Sequence, residues 1–173
     1  MTGLNRYRGI GILLARVTVG WVFFYAGIEK LFGAQPFTAV GFLKFGTIGT
    51  TAEKVADGTS VNPTHAFWVD VAGNGTLMPI INFLVLFGEV AIGAALIVGL
   101  ATRFASVAGS LMMGLFWIAA WDFSHGVVEY HSVLAIVTLA LGIIGAGEFF
   151  GLDAIVDETP IVKRAPALRY VLG

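Results

Sequence analysis

The stretch Met78–Leu100 reads MPIINFLVLFGEVAIGAALIVGL, 23 residues with one charge, Glu89. About 20 apolar residues in a helix cover a hydrocarbon core of roughly 30 Å, so this run predicts a membrane span. Three more runs of the same kind flank it: Gly9–Phe32, Phe104–Trp121 and Tyr130–Gly147. The chain has 173 residues, 57% of them hydrophobic and 12% charged, with a mean hydropathy of +0.87. That charge fraction is about half of what a soluble domain carries. The expectation is an all-α integral membrane protein: one membrane domain over residues 1–173, built as a four-transmembrane-helix bundle. The first run is too long for a signal-peptide core and has no clear small-residue cleavage site, so it is expected to stay.

Arg6 and Arg8 precede the first span, Arg103 lies in the link between the second and third, and Lys163, Arg164 and Arg169 lie in the tail 152–173. With four spans, these segments fall on one side. The other side has Lys30, Lys44 and Lys54 spread along a long outer loop, 33–76. Excess Lys and Arg mark the cytoplasmic side, which predicts both termini inside. The loop exceeds the roughly 12–15 residues of an ordinary connection, so it is expected to carry structure of its own. Pro36–Phe45 suits a short interfacial helix, Phe67 and Trp68 suit interfacial anchors, and 46–62, rich in Gly and Thr, reads as irregular. Small residues four apart (Gly11/Ala15, Ala95/Gly99, Ala105/Gly109, Gly142/Ala146) suit close helix packing in lipid.

The chain has no cysteine, which excludes disulfides, thiolate metal sites and Cys-ligated iron–sulfur clusters on it. A net charge of −1 gives no sign of a nucleic-acid partner. There is no phosphate loop, dinucleotide fingerprint or nucleophile elbow. His125 and His131 sit at one end of the spans and His65 in a loop, a poor arrangement for a b-type haem. No haem, flavin or metal is expected.

Two charges lie deep inside spans, Arg16 and Glu89, while Glu29 and Lys30 lie at the outer end of the first. A charge at mid-membrane costs at least about 2.5–3.5 kcal/mol, so it is usually paired, cavity-facing or functional. The two sit on opposite-running helices at similar apparent depth, which predicts a direct Arg16–Glu89 contact. Such a pair would either fix helix register or line a polar pocket. A second cluster lies at the outer end: Trp117 and Trp121, then Asp122 and His125, then Glu129, Tyr130 and His131, with Glu29 and Lys30 of the first span at the same level. An interfacial aromatic belt beside a solvated turn is one reading. The other is a lipid-headgroup or quinone site. Quinone oxygens need donors such as Lys, Trp or His, and a histidine titrating near neutrality can trade protons.

Three motifs carry a resemblance. They are Arg16-Val-Thr-Val-Gly20-Trp-Val-Phe-Phe24-Tyr-Ala-Gly27-Ile-Glu-Lys30-Leu31, Gly88-Glu89-Val-Ala-Ile-Gly93 leading into Gly99-Leu-Ala-Thr-Arg103, and Gly145-Ala-Gly147-Glu-Phe-Phe-Gly-Leu152-Asp153. Together they resemble the DoxX/DoxD-like membrane proteins, and the long first loop looks closest to the DoxD branch. Arg16, Gly20, Gly27, Lys30, Glu89, Arg103 and Asp153 fall on its signature positions. The resemblance implies a prokaryotic plasma-membrane subunit of a respiratory or sulfur-oxidising complex, of the thiosulfate:quinone oxidoreductase type. It also implies an extracellular DoxA-type partner, with quinone as a diffusible substrate. On that reading Lys30, Trp117, Trp121 and Tyr130 bind substrate or quinone, and His125, His131, Asp122 and Glu129 move protons. The alternatives are a non-catalytic accessory subunit of a larger oxidase and a small-molecule or ion carrier.

Overall fold

A computed structural model describes residues 3–48, 62–121 and 127–173. Among these residues there is no strand. Four helices make the bundle: α1 (Gly3–Leu31), α3 (Leu77–Val98), α4 (Thr102–Ala120) and α5 (Tyr130–Ile143). Between α1 and α3 come a π-helical turn, Phe42–Gly46, and a short helix α2 (His65–Gly73). The tail adds α6 (Asp153–Asp157) and α7 (Pro160–Arg164), with 3₁₀ turns at Ala146–Glu148 and Pro166–Tyr170. Among the described residues, α1, α3 and α4 are long and apolar enough to cross a membrane. The predicted fourth span is shorter than expected. α5 ends at Ile143 rather than reaching Gly147, because Gly145 takes a left-handed φ of 64° and turns the chain. Large apolar side chains face outward all round, among them Leu14, Trp21, Phe83, Phe104, Leu111 and Ile136. A water-soluble bundle would bury such residues. Here lipid is the solvent.

α1 and α3 meet backbone to backbone. A Cβ on Gly20 would lie 2.9 Å from the Ile97 nitrogen, and one on Gly27 would lie 2.8 Å from the Val90 nitrogen. A Cβ on Gly93 would collide with the Phe24 backbone. Of the small pairs read from sequence, Gly109 and Gly142 serve the α4–α5 contact, against Thr138 and Ser106, whereas Gly11 has nothing near it. Val19, Phe23, Ile92, Leu96, Ala105, Met113 and Leu141 fill the centre.

The tail closes one end of the bundle. Asp153, fully buried, accepts the backbone N–H groups of Ala101 (2.7 Å), Thr102 (2.9 Å) and Gly173 (2.8 Å). Its carboxylate thereby serves the start of α4, where helices leave N–H groups without partners. Arg16, 1% exposed, donates to the carbonyls of Ala146 (2.7 Å), Phe149 (3.3 Å) and Phe150 (3.4 Å). Gly99 ends α3 with φ 71°, and any side chain there would strike the Arg16 guanidinium.

The segment between α1 and α3 covers the other end. It buries Ala39 and Leu43 against Ala72 and Met78. Asn82 of α3 accepts from the Ala39 N–H at 2.9 Å, and Asn62 donates to the Ala119 carbonyl at the end of α4 at 2.6 Å. Thr47 and His65 are joined at 2.7 Å. Phe67 is exposed and meets Trp68 edge-on. Most of the stretch 46–62 read as irregular lies outside the described residues.

Candidate functional site

Glu89 does not pair with Arg16. It is 2% exposed and binds Lys30, Nζ to Oε2, at 2.7 Å. The cause is helix register. Glu89 stands opposite Gly27, whose Cβ would lie 3.1 Å from the Glu89 Cβ. Arg16 is eleven residues earlier on α1, about 16 Å further along the axis. No arginine spans that distance, and the tail carbonyls are already in reach. Lys30 is one turn beyond Gly27. It folds back to the carboxylate, donates to the Ala26 carbonyl at 3.3 Å, and lies over the Phe37 ring at 5.8 Å.

The ion pair borders a cavity of about 170 Å³ between α1, α3, α4 and α5. Val22, Phe23, Met113, Phe116 and Leu134 supply apolar wall, and Lys30, Glu89, Tyr130 and His131 supply polar groups. Drug-sized sites run roughly 300–1,000 Å³, so this one has room for a single ring rather than a large substrate. His131 is set at the start of α5 by Glu129. The Glu129 carboxylate accepts the His131 backbone N–H at 3.1 Å and meets its Nδ1 at 3.2 Å, while Ser132 Oγ accepts the Glu129 N–H at 2.9 Å. This reciprocal cap fixes the first turn of α5 and holds the imidazole. Phe116 and Tyr130 both meet the imidazole edge-on. When His131 carries its proton on Nδ1, Nε2 is left to accept one. The cavity therefore offers donors to a carbonyl oxygen, a buried carboxylate and an imidazole.

The cavity gathers Lys30, Tyr130, His131 and Glu89, with Glu129 behind His131. It leaves out Trp117 and Trp121. Those rings stack on each other with centroids 5.5 Å apart and are not among the residues that line the cavity. Glu29 is exposed. Asp122 and His125 lie outside the described residues. Phe23, Met113 and Phe116 were not anticipated as cavity wall. Their helical spacing in sequence looks like ordinary core. Among the described residues no cluster of His, Cys, Asp or Glu could hold a metal ion.

A bundle of long lipid-facing helices with a polar cavity at one end defines a multi-pass membrane protein. The DoxX family model matches residues 11–125, about two thirds of the chain, and the chain belongs to that family. No curated protein and no solved structure matches it.

Proposed function

We propose that the chain is a quinone-binding membrane subunit of an oxidoreductase, with the quinone headgroup seated in the cavity beside Lys30 and Glu89. The observation that carries this reading is the meeting of Lys30, Tyr130 and His131 with an aromatic and aliphatic wall in a ring-sized space. Lys30 and Tyr130 donate to the quinone oxygens. His131, held by Glu129, exchanges the protons, and Phe23 and Phe116 pack on the ring. Reduction of quinone to quinol takes two electrons and two protons. Oxidation of two thiosulfates to one tetrathionate supplies two electrons, and a DoxA-type partner is the place for that step, since this chain has no cysteine to hold the sulfur. The tail end faces the cytoplasm of a prokaryotic cell, in keeping with the Lys and Arg distribution, and the cavity end faces out.

The test is binding of a labelled quinone analogue to the purified chain in nanodiscs. Saturable binding, reduced by His131→Ala and by Lys30→Met, is expected. Absence of binding, together with tight co-purification in a larger assembly, would replace this reading with a non-catalytic accessory subunit. The buried Lys30–Glu89 pair favours one further reading, a small-molecule or ion carrier. Substrate uptake into liposomes abolished by Glu89→Gln would select it.

A further inference from the structure

The cavity beside Lys30 and Glu89 is not closed on all sides. Its floor is buried: Phe23, Glu89 and Met113 are 1%, 2% and 5% exposed. One edge is not. Val22 and Ala26 of α1 are half-buried, as is Leu134 of α5, and Tyr130 beside it is exposed. These four residues belong to two helices that barely meet. α1 packs along α3 and α4 along α5, but α1 and α5 touch sparsely. Nearer the tail end the same seam is shut, where Val19 and Leu141 are buried in the common core. The opening lies at hydrocarbon depth. Ala26 is five residues short of the end of α1 and Leu134 four residues past the start of α5, so both sit about 6–8 Å below the outer helix ends. Tyr25 and Val137, next to them round their helices, are exposed in the manner of lipid-facing residues. The outer end is covered on the opposite flank. Phe42 meets Phe116, a cavity wall residue, edge-on at 6.0 Å, and Asn62 donates to the carbonyls of Ile118 and Ala119. Among the described residues, no part of the segment between α1 and α3 lines the cavity.

We infer that the cavity is entered sideways from the membrane, through the α1–α5 seam, and that its ligand is a ring-headed lipid whose aliphatic chain stays outside in that seam. The inference deepens the quinone reading and rests on it for the ring. The volume decides where the chain goes. About 170 Å³ holds one ring, so anything attached to the ring has to leave through the mouth. Val22, Ala26 and Leu134 give such a chain an apolar edge to lie on. The same geometry excludes a water-soluble anion, since hydrocarbon at the mouth is a poor solvent for charge. The sulfur compound of the proposed reaction therefore reacts on the partner and never enters this cavity.

The opening is tested apart from the ligand. The chain has no cysteine, so a nitroxide can be placed at one position of the full chain in nanodiscs, through Ala26→Cys or Leu134→Cys. Both labels should collide with oxygen, which dissolves in the bilayer, and be shielded from a water-soluble nickel complex. Nickel accessibility well above that of a label at the exposed Val133, at the depth of Leu134, would mean a mouth open to water and would overturn the inference. So would labels shielded from both reagents. The route is then tested with a decyl-tailed quinone analogue. Ala26→Phe, which puts a ring in the mouth, should slow its association several-fold, and Val133→Phe, on the outward face, should leave the rate unchanged. An unchanged rate for Ala26→Phe protein of normal thermal stability would overturn the route. If the analogue fails to bind the unaltered protein, the quinone reading falls and takes the ring-headed ligand with it. The sideways opening still stands or falls on the spin labels alone.

Discussion

The two ends of the bundle use the same kinds of residue for opposite purposes. At the tail end Arg16 and Asp153 are spent on backbone, the guanidinium on three carbonyls and the carboxylate on three N–H groups. At the cavity end Lys30 and Glu89 are spent on each other, beside open space. A buried charge whose partners are all main chain fixes where the chain goes. A buried charge whose partner is another side chain at a cavity edge can change partner when a ligand arrives. The difference reads as architecture at one end and, on the proposed function, as chemistry at the other.

The comparison breaks most readily at Asp153. Asp153→Ala strands three N–H groups, each worth about 1–3 kcal/mol when buried and unpaired. The expected result is loss of folded protein from the membrane fraction, read by detergent-resistant thermal unfolding. A normal melting curve would show that the tail end is not structural. At the other end, Glu89→Leu leaves the Lys30 ammonium without its partner, for which about 3–5 kcal/mol is an upper figure because Lys30 is partly exposed. Adding Lys30→Met should recover part of that loss, while ligand binding stays abolished. If the double variant is no more stable than Glu89→Leu alone, the two charges are not coupled. Gly93→Ala pushes a methyl into the Phe24 backbone and should cost about 1–3 kcal/mol, an effect shared by both ends because it opens the α1–α3 seam. Gly11→Ala meets nothing within 4 Å and should be neutral or stabilising by under about 1 kcal/mol. A large loss there would mean that α1 has a partner at its exposed face.

The long helices were legible in the sequence because apolar length alone dictates them. α5 was read too long because its end depends on a left-handed glycine and a tail that folds back, and neither leaves a periodic mark. Lys30, Glu89, Tyr130 and His131 could be singled out one by one from charge and position. That Lys30, Tyr130 and His131 share one end of the bundle follows from the spans, but that Glu89 joins them does not, since depth in the membrane says how high a side chain sits and not which way it points. The Arg16 error has this origin. Counting outward from Gly27 and Gly93, the residues that let α1 and α3 touch, gives the register that separates Arg16 from Glu89. The partners of Arg16 are carbonyls of an irregular segment, and a carbonyl carries no sequence signature. Trp117 and Trp121 are near His125 and His131 in sequence, yet they stack on each other and are not part of the cavity wall.

α5 has 14 helical residues and so covers about 21 Å, against roughly 30 Å of hydrocarbon. α1 and α3 have length to spare. The apolar helix is therefore shorter along α5 than along α1 and α3, a mismatch that a bilayer meets by local thinning, by snorkelling flanks or by association with a neighbour. Thinning at the start of α5 brings the headgroup region nearer to Glu129 and His131, which cap and open that helix.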